Sequence, residues 1–253
     1  MQLTQIVFSP TGGTQQVVDI LTEALGLPFS QIDLTDAQKD FAAVSLPADS
    51  LALIAVPAYA GRVPAVAAQR LAQIQGNQSR CVLVSVYGNR AFEDTLVELQ
   101  DVAEKAGFQV LAAVAAIAEH SIMHQYAAGR PDAVDKQQLR GFAEQIQARF
   151  NQPGAGGLAL PGNRPYKTVA PLPMTPKAGG DCVGCGLCAE ICPVQAISRE
   201  QPQKTDAQKC ISCMRCVARC PKGARKVNGA LVAMAAMKLK KACSARKKNE
   251  LFI

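Results

Sequence analysis

No stretch of this 253-residue chain stays apolar for the ~20 residues that a membrane-spanning helix requires. The longest apolar runs, such as residues 110–118, stop well short. Met1 leads straight into a strand-like segment, with neither the basic lead nor the apolar core of a secretion signal, so the chain reads as cytoplasmic. Tryptophan is absent, and histidine occurs twice, as His120 and His124. The net charge of +7 invites a nucleic-acid reading, yet no groove-reading or RNA-binding motif accompanies it, and we expect no nucleic-acid partner.

The charge is unevenly divided. Residues 1–150 carry 10 Lys+Arg against 15 Asp+Glu, or −5, whereas residues 151–253 carry 17 against 5, or +12. Such asymmetry suggests two domains with different tasks. A hydrophobic fraction of 49% and a mean hydropathy of +0.06 suit a globular chain with ample core.

Across the first half, strand-like and helix-like stretches alternate. Residues 2–8, 29–34, 50–58, 80–88 and 108–117 read as five strands, several of them continuously apolar, as in a sheet covered on both faces. Between and after them, residues 13–26, 65–75, 91–106 and 132–150 carry apolar residues at helical spacing, several of them stopped by a glycine. This pattern argues for an α/β domain over residues 1–151 with a parallel sheet. The periodicity then dissolves into a Pro/Gly-rich linker over 152–180.

What the chain has in quantity is cysteine, ten in all, and eight of these fall in a doubled run. "CVGCGLCAEICP" supplies Cys182, Cys185, Cys188 and Cys192, and "CISCMRCVARCP" supplies Cys210, Cys213, Cys216 and Cys220. Three cysteines at steps of three let one tight loop present three thiolates to a cubane, and the fourth, before proline, reaches the neighbouring cluster. Gly184 and Gly186 relieve crowding where amides approach inorganic sulfide. Zinc is the other reading, but all-cysteine zinc sites usually pair two C-x-x-C elements and do not need this fourfold repeat. Outside the run, Cys81 reads as a core residue and Cys243 as a free exposed thiol.

The run resembles the bacterial two-cluster ferredoxins. That resemblance implies a small α+β domain over residues 181–226 with two [4Fe–4S] clusters. One would be held by Cys182, Cys185, Cys188 and Cys220, the other by Cys210, Cys213, Cys216 and Cys192.

At the end of the first strand stands "FSPTGGT". Its Ser9, Thr11 and Thr14 hydroxyls and the amides of Gly12 and Gly13 would surround a phosphate at a helix N-terminus, where dipole and free N–H groups favour a dianion. No lysine follows, which excludes a P-loop, and G-x-G-x-x-G is missing. A cation-free cup of this kind resembles the FMN phosphate loop of the flavodoxins. The fold that family implies is a doubly wound, five-stranded parallel sheet of order 2-1-3-4-5. The loops "VPAYAGRVP" and "VYGNRAF" fall after the third and fourth strands, where flavodoxin-like proteins flank the isoalloxazine. By that resemblance Pro57, Ala58, Tyr59, Ala60 and Gly61 on one side, and Tyr87, Gly88, Asn89, Arg90 and Phe92 on the other, are ring contacts. Tyr59 is the foremost stacking candidate, and Asn89 and Arg90 would meet the ring's polar edge.

"SPTGGT", "YAGRVP", "YGNRAFED" and "AEHSI" followed by the doubled cysteine run are similar to the flavodoxin–ferredoxin fusion proteins of anaerobic bacteria. The resemblance implies electron transfer between the clusters and FMN, with donor and acceptor proteins as partners. An FMN-dependent reductase of a quinone or small organic substrate is the alternative, and a scaffold with structural clusters a third. No acid–base dyad or nucleophile triad is evident, which suits a carrier. The basic tail, residues 227–253, reads as a helix packing its apolar half on the ferredoxin domain. It also offers a surface for an acidic partner or a membrane face.

Overall fold

A computed structural model describes residues 2–150, 157–170 and 174–253. The parts of the expected linker at 151–156 and 171–173 therefore lie outside the described residues.

The first element, β1 (Leu3–Val7), runs up the centre of a sheet and delivers the chain into α1 (Gly13–Leu25). β2 (Phe29–Asp33) pairs parallel on one side of β1 and β3 (Leu51–Pro57) on the other. After α2 (Ala65–Leu71), β4 (Arg80–Tyr87) adds beside β3. After α3 (Thr95–Lys105), β5 (Gln109–Ile117) adds beside β4. The helix α4 (Ala133–Phe150) then returns across the sheet. Every strand of this set is parallel, because each crossover carries an intervening segment long enough to return the chain to the same end.

Both faces of the sheet are covered. Val17, Val18 and Leu21 of α1 and Leu139 and Ile146 of α4 pack on one face with Leu3, Leu53 and Val84. Leu71 of α2 and Leu96 and Leu99 of α3 pack on the other with Ile6, Ile54 and Leu83. Central strands with both faces buried must be apolar throughout, which is why β3 and β5 lack alternation.

The cysteine-bearing part is small. β6 (Lys177–Ala178) pairs antiparallel with β7 (Arg225–Lys226), and the short helices α5 (Leu187–Glu190) and α6 (Arg215–Ala218) sit between them. The sequence repeat is a structural repeat. Gly184 and Ser212 share a left-handed backbone, as do Gly186 and Met214, and Gln195 and Gly223. The second copy thus holds serine and methionine in conformations that the first gives to glycine.

The tail departs from expectation. It forms α7 (Gly229–Cys243), capped by the Asn228 side chain, and β8 (Glu250–Phe252). α7 packs not on the cysteine-bearing part but on the loop after β5, with Ala236 and Cys243 against Met123 and Tyr126. β8 pairs antiparallel with β5, so the sheet has six strands in the order β2-β1-β3-β4-β5-β8 rather than five. The expectation of a free exposed thiol at Cys243 is also overturned: the residue is 3% exposed under this helix.

Candidate functional site

The order 2-1-3-4-5 reverses direction between β1 and β3, and the carboxyl ends flanking that point form the crevice where doubly wound sheets bind ligands. The loop from β1 into α1 opens there. Gly12 holds φ 100°, a conformation glycine adopts without strain, and turns the chain into the helix. Among the described residues the amides of Gly12, Gly13 and Thr14 find no acceptor, while the Gln15 amide is met by Ser9 Oγ at 2.9 Å. Ser9 therefore satisfies the third amide of the helix, whose N-cap is Gly12. Thr11, Gly13 and Thr14 line an open cleft.

The same cleft gathers the other loops. Pro57, Ala58, Tyr59 and Ala60 form one wall, Tyr87 and Gly88 another, and Glu119, His120 and Ile122, beyond β5, a third. Not every predicted contact lies there. The Asn89 side chain donates to the Cys243 and Ala245 carbonyls, so it anchors the tail segment. Phe92 stacks edge-on with Tyr87 and Phe252 in the core. Gly61 lies away from the cleft, against Glu93. Arg90 is paired with Glu93 at 2.8 and 2.9 Å and lines an adjoining cavity instead.

Two lining residues have no counterpart in the sequence reading: Ile211 and Ser212, from between Cys210 and Cys213, complete the cleft. Nothing local marks them, since only the docking of two distant segments brings them there. Arg70 secures that docking, donating to the Leu34 carbonyl and to the Pro193 carbonyl, each at 2.7 Å. Arg215 adds a contact to the Ser9 carbonyl and an ion pair with Asp33 at 3.7 Å. Tyr59, enclosed between these parts, has its hydroxyl pKa raised, first by burial and then by the neighbouring Cys213.

The eight cysteines surround two cavities. Cys182, Cys185, Cys188 and Cys220 line one, and Cys192, Cys210 and Cys213 line the other. Cys216 borders both. Among the described residues no three ligating side chains close around a single metal ion. Thiolates spread around a void suit a polynuclear cluster better than zinc. The fourth cysteine of each copy already accepts an amide hydrogen bond, Ala196 N to Cys192 Sγ at 3.3 Å and Ala224 N to Cys220 Sγ at 3.4 Å. Such bonds tune cluster potential. Arg225, 2% exposed, brings a guanidinium beside the first cavity.

Residues 181–224 match the family model of the 4Fe-4S dicluster domain. The trichloroethene reductive dehalogenase of Dehalococcoides mccartyi is 32% identical over 104 residues, covering 33% of this chain and 18% of that protein. The chain thus spans less than a fifth of the curated relative it matches. Among solved structures, a flavodoxin of Streptococcus pneumoniae overlaps 59% of this chain and 99% of its own, at 18% identity and a TM-score of 0.42. A flavodoxin from the domain Archaea overlaps 60% and 100%, at 9% identity and 0.44. An apo NADH:FMN oxidoreductase overlaps 61% and 92%, at 12% identity and 0.44.

Strand order and switch-point cleft make the first part flavodoxin-like, and the matched segment makes the second an iron–sulfur part with a redox, electron-transfer role. The chain thus joins a sheet of flavodoxin-like strand order to a segment that matches a 4Fe-4S dicluster domain. No described helix is long and apolar enough to cross a membrane.

Proposed function

We propose that the chain passes electrons between two [4Fe–4S] clusters and an FMN held on the same polypeptide. One observation carries the reading: Ile211 and Ser212, lying between two cluster cysteines, line the same cleft as Thr11 and Thr14 of the phosphate loop. The cluster loop is part of the flavin's wall. FMN fits the residues present, because its phosphate would complete the unpaired amides of Gly12, Gly13 and Thr14 at the start of a thirteen-residue helix. Its ring would lie among Ala58, Tyr59, Tyr87 and Gly88.

The geometry supports an order for the relay. Cys185 is exposed, with Val183 beside it 64% exposed, so the cavity of Cys182, Cys185, Cys188 and Cys220 faces solvent. Cys216 joins it to the second cavity, and Ile211 lines both the second cavity and the flavin cleft. External donors and acceptors would meet the first cluster, and the second would serve the flavin. When bound, the flavin supplies storage for two electrons, which clusters exchange singly. The exposed Lys238, Lys240 and Lys241 of α7 would favour acidic redox partners.

Anaerobic purification with iron, sulfide and flavin analysis, followed by stopped-flow reduction with a low-potential donor, tests the proposal. Both clusters should bleach first and the flavin follow. A colourless zinc protein, or a flavin that stays oxidised beside reduced clusters, would overturn it.

A further inference from the structure

Beside the flavin cleft lies a second chamber, partly open to solvent. The two share Ala58, Ala60, Tyr87, Gly88, His120 and Ile122 as a common partition. The second reaches neither the phosphate loop nor the cluster loop, and its roof is Met174, Ala235 and Leu239. Those three come from the segment preceding the cysteines and from α7, the parts in which this chain goes beyond a bare flavodoxin-like sheet.

Its chemistry is lopsided. Roof and walls are apolar, with Met123 and Met174 able to adapt their shape to an occupant. At one end stand Arg90 and Lys167, which share a single carboxylate, Glu93, at 2.8 and 2.5 Å. Lys247, outside the chamber, holds this end from behind, its ammonium on the Arg90 carbonyl. Glu93 is held ionised, its pKa lowered to about 2 chiefly by the Arg90 hydrogen bond, yet it offsets one cation of the two that line the chamber. His120, also lining the chamber, accepts the Ile122 and Met123 amides on Nδ1 at 3.1 and 3.2 Å, which puts the ring proton on Nε2. An apolar body with surplus positive charge at one end describes the complement of an amphiphilic anion.

We propose that this chamber binds a small organic acid with an apolar body, its carboxylate toward Arg90 and Lys167 and its body under the Met174–Ala235–Leu239 roof. The occupant lies against the partition facing the flavin. Its part as a reactant rests on the flavin reading of the preceding section, but its binding does not.

Cinnamate, with its neutral isostere cinnamamide as control, probes the site by calorimetry on the cofactor-loaded protein. One equivalent of cinnamate should bind, and more than about tenfold tighter than cinnamamide, as a charge-assisted hydrogen bond predicts. Lys167→Gln should narrow that preference. Leu239→Trp should block the chamber, abolishing cinnamate binding while flavin and iron contents hold. The chain is otherwise free of tryptophan, so its fluorescence reports the filled site directly. Ala235→Met is a milder filling should Leu239→Trp fail to fold, and should weaken binding in the same direction.

Equal binding of the two probes, or none, overturns the site. Loss of flavin from a folded Leu239→Trp or Ala235→Met protein also overturns it, because the chamber would then be the bed of the ring itself. Should the purified protein hold no flavin at all, the function proposed above fails. Cinnamate binding to that protein, lost on filling the chamber, would still sustain this site.

Discussion

At the scale of single residues, the loop proposed to hold the phosphate suits an anion in a way its composition alone does not show. Hydroxyls and glycines at a strand end are common, but here the helix starts on three amides without acceptors while Ser9 is already spent on Gln15. Thr11→Ala with Thr14→Ala removes two hydroxyls from the cleft and should weaken FMN binding by about 3–6 kcal/mol, since each bond to a charged group is worth about 1.5–3. Flavin titration of the stripped protein measures the change, and an unaltered affinity would put the phosphate elsewhere. His120 offers a second measurement. Burial, then His124 and Arg90, lower its pKa from 6.5 to about 4. The unfolded chain takes up a proton below about pH 6.5 that the folded chain refuses, so stability falls as pH drops from there toward about 4, by about 3 kcal/mol at most. His120→Gln should flatten this acid limb, and thermal midpoints of both proteins between neutral pH and about pH 5 would expose any failure.

At the scale of elements, the sequence was most legible where a period was long and uniform. The five parallel strands and α1 and α4 follow from apolar runs and stripes, because burial on both faces leaves little choice of residue. The helix expected over 91–106 begins only at Thr95, since Gly88 to Asp94 are spent on a loop tied to the tail and to Glu93. β8 was illegible: three residues, "ELF", carry no period, and only pairing with β5 makes them a strand. Its anchor is Asn249, 3% exposed. Asn249 Oδ1 accepts the Ile117 amide at 2.9 Å, and Nδ2 donates to Asp135 at 3.1 Å and to Gln138 at 3.0 Å. Asn249→Ala leaves the buried Ile117 amide unpaired and should cost about 2–4 kcal/mol. Amide exchange should then rise along β5 at its pairing with β8, residues 113–115, and an unchanged exchange pattern there would mean the sixth strand contributes no protection.

At the scale of the whole molecule, the chain leaves the flavodoxin-like sheet, builds the cysteine-bearing part and returns to the same sheet through α7 and β8. A Pro/Gly-rich connection suggests a tether that raises the effective concentration of one part at the other. The described part of that connection is instead fastened to α3 and the loop before it, through Asn163 and Lys167 amides on Asp94 at 2.9 and 2.8 Å and Arg164 on Asp101 at 2.6 Å. With both ends of the cysteine-bearing part fixed, the contacts made by Arg70 and Arg215 set where its second cavity meets the flavin cleft. All four contacts are made by the arginine side chains to carbonyls and a carboxylate, none to a cysteine thiolate, although Pro193 follows Cys192 and Arg215 precedes Cys216. Arg70→Met with Arg215→Met should therefore keep iron and flavin contents while loosening the junction, and flavin reduction after cluster reduction should slow by at least roughly tenfold, the kinetic equivalent of about 1.4 kcal/mol. Stopped-flow traces with the clusters and flavin followed separately give the answer. An undiminished rate would mean that the junction at Ile211 is not the route, and that electrons reach the flavin cleft from a partner without passing the second cluster.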